Sequence, residues 1–133
     1  MYAASWNVTI TPLDTCGTVT LSGPAYLDYM SGVSLVSRTL AQAQLFWSVN
    51  GGGGGQSILT STSIWYDTVA AYMVDSPSLL EFSNIQLLVT SEGYTVVSEQ
   101  GSPVTAALNW AHYNEDEAAY EDYVADVIGF GYA

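Results

Sequence analysis

The chain of 133 residues has no lysine and one arginine, Arg38, against thirteen aspartates and glutamates, so its net charge is −12. That shortage of cations excludes direct nucleic-acid binding, which depends on Lys and Arg replacing counterions on the phosphates. It disfavours anionic membrane surfaces for the same reason. Cysteine is represented by Cys16 alone, which rules out an internal disulfide and a cysteine-rich zinc site. No run of about eighteen apolar residues is present, as a membrane-spanning helix would require. The opening "MYAASWNVTI" has neither a basic nor an apolar signal region, so the chain is expected to be made without a secretory signal. Lysine is also missing from the stretch after "NGGGGGQ" (50–56), which removes the phosphate-loop reading and leaves a loop tip or hinge.

What the chain does contain is apolar and aromatic. Hydrophobic residues make up 49%, with ten tyrosines and four tryptophans, enough for a globular core without metals or disulfides. The length suits one domain, divided here into a β-rich part, 1–113, and an acidic helix with a C-terminal arm, 114–133.

Alternation dominates the reading of the first part. Trp6, Val8 and Ile10 share one face of an expected strand closed by Pro12, and "TVTLSGP" (18–24) reads as a second strand stopped by Gly23-Pro24. "SILTSTSIWY" (57–66) and "TVAAYMV" (68–74) are β-rich runs, and "NIQLLVTSEGYTVVS" (84–98) has the pattern of a hairpin turning at Glu92-Gly93. "VTAALNWAH" (104–112) alternates again, with Val104, Ala106, Leu108 and Trp110 on one face and His112 continuing it as a structural histidine. The segment from Val33 to Val49 is ambiguous: Val33, Val36, Leu40 and Ala43 fit a helix face, whereas Val33 and Leu35, then Leu45, Trp47 and Val49, fit two strands. About eight short strands at this spacing predict a mostly β chain. The expected fold is a small antiparallel β-sandwich, jelly-roll-like, with one C-terminal acidic helix. The alternative is α+β with an additional helix near 33–47.

The acidic helix comes from "NEDEAAYEDYVAD" (114–126), which holds six carboxylates. Asn114 and Glu117 have capping-box spacing, the first-turn acids suit the helix dipole, and Gly129 is placed as a C-cap. Tyr120, Tyr123, Val124, Val127 and Ile128 share one face, and Glu115, Asp122 and Asp126 the opposite one. Asp122 and Asp126 lie beyond the first turn with no lysine to offset them. The stripe is therefore read as a partner-binding surface that meets positive charge from outside, on a basic protein or as a hard cation such as calcium. Phe130 and Tyr132, in "GFGYA", are read as a docking arm.

Catalytic constellations are weak. No G-x-S-x-G is present, a triad around His112 cannot be read from spacing, and in "DTCG" (14–17) Cys16 stands where an aspartic-protease turn needs glycine. Carboxylate pairs able to cleave a glycosidic bond arise by chance among thirteen acids. The chain is therefore read as a non-enzyme with no metal or cofactor. The tryptophans are expected in strand cores. Tyr2, Tyr26, Tyr29, Tyr66, Tyr72, Tyr113 and Tyr132 are expected at a rim suited to interfaces.

These features predict a structural subunit of a homo-oligomeric assembly, a homotrimer or larger, on a virion or extracellular surface. The form that fits best is a capsid surface, decoration or cement protein, self-associating and docked on a more basic scaffold, with no nucleic acid and no membrane. The alternative is a β-sandwich carbohydrate-binding module that uses Trp and Tyr platforms, with calcium assistance.

Overall fold

The computed structural model describes residues 5–51, 59–75 and 77–130. It is an α+β fold, with five helices around one four-stranded mixed sheet, and not a sandwich. Its elements are β1 (Thr9–Ile10), α1 (Leu13–Cys16), α2 (Gly23–Ser31), α3 (Leu35–Val49), α4 (Tyr66–Asp75), β2 (Leu80–Val89), β3 (Thr95–Val97), β4 (Ser102–Trp110) and α5 (Asn114–Phe130).

The jelly-roll expectation fails because three segments read as strands or connections are helical. Gly23-Pro24 opens α2 instead of closing a strand: Pro sits in the first turn, where its missing N–H costs nothing. In "TVAAYMV" the buried residues are Val69 and Tyr72, three apart, which is helical spacing. The Leu35–Val49 segment is a single helix, capped by Ser34, whose Oγ accepts from the Ser37 N–H at 3.0 Å. The expected first strand shrinks to Thr9–Ile10, and Trp6 is exposed. Residues 18–21 form no strand of the sheet, although Val19 and Leu21 are fully buried. The glycine tract beyond Gly51, like Tyr2 and Tyr132, lies outside the described residues.

The sheet runs in the order β1-β4-β2-β3. β1 lies parallel to β4, and the other pairs are antiparallel. The hairpin of β2 and β3 turns through Gly93 at φ 90, a left-handed value that suits glycine. In β4 the alternation of Val104, Ala106 and Trp110 is buried as expected, but Ala107 is buried too, beside a register shift at Glu81/Phe82.

α5 separates and joins two cores. Tyr120 and Val124 enter one, with Val69, Tyr72, Leu80 and Trp110; the Tyr120 ring lies 5.1 Å from Trp110 and 5.0 Å from Tyr72. Ala125 enters the other, with Leu21, Ala25, Tyr26 and Tyr29. Tyr26, Tyr29 and Tyr72 are therefore core residues and not rim residues. Burial pushes the Tyr29 and Tyr120 hydroxyls up to about 12.

α2 and α5 meet through glycine. Gly129, expected as a C-cap, is buried inside α5 against Gly32, the residue that ends α2. The same junction fixes the start of α3: the Ser34 hydroxyl donates to the Ile128 carbonyl at 2.6 Å, and the Ser34 N–H to the Gly129 carbonyl at 3.2 Å. A Cβ at Gly32 would stand 2.6 Å from Ser37 Oγ and 2.8 Å from Gly129 Cα. Gly32→Ala should therefore cost about 1–3 kcal/mol, by overpacking three helix ends at once. A urea titration with an unchanged midpoint would contradict this packing.

Candidate interaction surface

The outward surface of α3 is the most unusual feature of the molecule. Of its fifteen residues only Ser37 is buried. At about 100° per residue, Ser37, Ala41, Gln44 and Ser48 form the side turned to the body, and all four are partly or fully buried. The large apolar residues point elsewhere. Leu35 is 81% exposed, Phe46 70% and Trp47 45%, and Val36, Leu45 and Val49 are more than half exposed. The face first read as apolar, with Val36, Leu40 and Ala43, is an outward one. α3 is thus inverted relative to an ordinary amphipathic surface helix, which turns its apolar stripe to the core.

Charge follows the same division. From Tyr29 to Tyr66 the sequence has no carboxylate and one cation, Arg38, which is exposed on α3. All thirteen acids lie before or after that interval.

Two clefts flank the helix. On one side Leu40, Gln44 and Trp47 face Trp65, Tyr66 and Asp67 across a space of about 440 Å3. On the other, Ala41 and Leu45 face Tyr26, Met30 and Leu59 across about 340 Å3. Trp47 is therefore on the surface, as is Trp6, although both were expected in a core; Trp65 is half-buried, and Trp110 is buried.

The acidic stripe of α5 is where the spacing places it. Glu115, Asp122 and Asp126 are all exposed. His112 Nδ1 lies 2.9 Å from Asp116 Oδ2, and among the described residues no salt bridge reaches these three. His112 is not a core histidine: β4 ends at Trp110, and the imidazole stands on the surface. The acid that closes the start of α5 is Asp116, not Glu117. Its Oδ2 also accepts from the His112 backbone N–H at 2.8 Å, next to Tyr113 at the left-handed φ of 50. Phe130, 58% exposed, is the last described residue and still helical, so the expected arm does not begin there; Tyr132 lies outside the described residues.

No group of three or more His, Cys, Asp or Glu able to hold a metal ion occurs among the described residues, which leaves the calcium expectation without a ligand set there. Nor is any helix among them long and apolar enough to cross a membrane. The cleft beside Trp47 and Trp65 contains a single carboxylate, Asp67, so the paired acids of a glycosidase do not converge in it.

Glu121 is a site residue the spacing did not single out. It turns inward, and Oε1 accepts from the Thr20 N–H at 3.2 Å. Burial raises its pKa, the Thr20 hydrogen bond opposes the rise, and repulsion from Glu117 and Asp122 adds to it. Compared with family models and with curated proteins, the chain matches none.

A carboxyl whose pKa is raised in the fold holds its proton more tightly there than in the unfolded chain. Its contribution is full below the ordinary value of 4.5 and is lost as pH rises through the folded value. Glu121→Gln keeps an oxygen for Thr20 and removes the charge. The variant should melt higher than the parent at about pH 7, and the gap should close near pH 3.5. Equal melting temperatures at neutral pH would refute the assignment.

Proposed function

We propose that this chain is a structural subunit of a homo-oligomeric assembly and acts through protein–protein contacts. The observation that supports it best is an inverted helix: the large apolar side chains of α3 face outward, among exposed Arg38, Thr39 and Gln42, while the side toward the body holds Ser37, Ala41, Gln44 and Ser48. Seven large apolar side chains exposed on one helix make the kind of apolar concentration that marks interaction sites, where a standard interface takes ~800 Å2 per partner. A capsid surface or decoration protein, external on a virion, is the form in which both surfaces have a use. α3 serves contacts between subunits, and Glu115, Asp122 and Asp126 face a more basic scaffold. The external placement rests on charge alone, because a body of −12 is kept off nucleic acid and off anionic lipid.

Sedimentation equilibrium of the purified chain tests the reading, with a homotrimer or larger as the expected species. Asp122→Lys combined with Asp126→Lys should leave folding intact and weaken capture by a cationic protein such as histone at least tenfold, since rim charges act chiefly on encounter and salt dependence. Unchanged capture would remove the acidic stripe from the proposal.

A second reading is favoured by one feature, the cleft beside Trp47, Trp65 and Tyr66. Its volume falls in the range of ~300–1,000 Å3 typical of ligand pockets. Aromatic faces with Ser63, Asp67 and Thr68 close by can take a neutral sugar ring. Calorimetry against neutral oligosaccharides would then show binding that Trp47→Ala abolishes. A monomer with such binding would promote the glycan module over the subunit.

A further inference from the structure

We propose that α3 is the self-association helix and that its occupant is α3 of further copies of this chain. This rests on the subunit reading above and specifies which surface performs it.

The first argument is charge. A copy carrying −12 repels another copy over most of its surface. The interval from Tyr29 to Tyr66 is free of acids, so α3 is the surface where two copies approach with least repulsion. A basic partner finds no carboxylate on α3 to pair with, which assigns such a partner to α5 instead. The chain's one Lys or Arg, Arg38, also stands on α3 and is exposed.

The second argument is the width of the face. At about 100° per residue, Leu35, Phe46 and Val49 lie on one flank, which also holds Gln42, and Val36, Leu40 and Trp47 on the other, with Thr39 between them, so two apolar flanks share roughly half the helix. A single two-stranded seam uses only the narrower stripe of alternating three and four spacings. Val36, Leu40, Ala43 and Trp47 alone have that spacing. The second flank calls for a second neighbour. A closed ring in which each α3 lies between two others covers both flanks, and three copies make the smallest such ring.

A bilayer surface is the competing occupant. Helices that lie in an interface usually carry several Lys or Arg on the polar side, whereas α3 has Arg38 alone.

The test uses the full chain with Phe46→Glu and, separately, Val36→Glu. Both positions are exposed, so neither variant loses a core contact, and circular dichroism checks the fold. The parent is expected to sediment as three or more copies, and each variant to weaken association at least a hundredfold. An assembly that persists unchanged in both variants overturns the assignment to α3 and leaves the subunit reading standing. A parent that stays monomeric at about 100 µM overturns both. A parent captured by neutral phosphatidylcholine vesicles, with capture lost in Phe46→Glu and no assembly in solution, replaces the second copy with lipid.

Discussion

Tyr120 and Ala125, five residues apart on α5, bury into two different cores, and the rest of the molecule is arranged around that requirement. A helix that serves two cores must bury a broad face. α5 also carries six of the thirteen carboxylates, which have to stay near water or be satisfied by donors. Asp116 is held by the His112 N–H, Glu121 by the Thr20 N–H, and the remaining acids sit on the solvent side or its margins. The small residues follow from the same constraint. α2 packs on α5 through Ala25, Tyr26 and Tyr29 and approaches it most closely where Gly32 meets Gly129, and beside that contact Ser34 bonds the end of α5 at the start of α3.

The position of α3 is thus fixed by hydrogen bonds at its N-terminal turn, with Ala41 packed on the second core further along. Ser34 caps the helix and bonds the Ile128 carbonyl, and Ser37 packs beneath it. Beyond that turn the inward residues are small or polar, which allows close approach but contributes little apolar burial. The buried oxygen of Gln44 has no hydrogen-bond partner among the described residues, a cost that an inward apolar residue would avoid. The large apolar side chains of α3 stand mostly outward, with Leu40 and Trp47 partly covered in the cleft beside Trp65.

Much of the sheet was legible because strand alternation is local. β4 and the hairpin of β2 and β3 stand where period-two spacing and a glycine turn place them. The acidic helix was legible from capping chemistry and the clustering of acids, although its cap is Asp116 and its Gly129 is a packing residue. The other helices were obscured by composition. Ser, Thr and Val crowd the start of α3, "TVAAYMV" is rich in β-branched and aromatic residues, and Gly23-Pro24 serves a helix start as readily as a strand end. The inversion of α3 was beyond periodicity. A wheel shows that Ser37, Ala41, Gln44 and Ser48 share one side, but which side turns inward is decided by Ser34 and Gly32, far from it in the pattern. The acid-free interval from 29 to 66 was readable all along, and it marked this surface more clearly than the acidic run did.

The two surfaces bear on each other through screening. At physiological salt a charge is felt over about 8 Å, while a helix of fifteen residues extends over about 22 Å. Acids on distant elements then weigh little on a contact made along α3, and those beside it weigh heavily. Asp67 in the flanking cleft is one such neighbour. A net charge of −12 opposes contact between like copies over acid-bearing surface, and the interval that contains α3 holds none of the acids. Selectivity of this kind needs no shape-specific pocket. It requires only that the carboxylates be excluded from one interval of the chain, and from Tyr29 to Tyr66 they are.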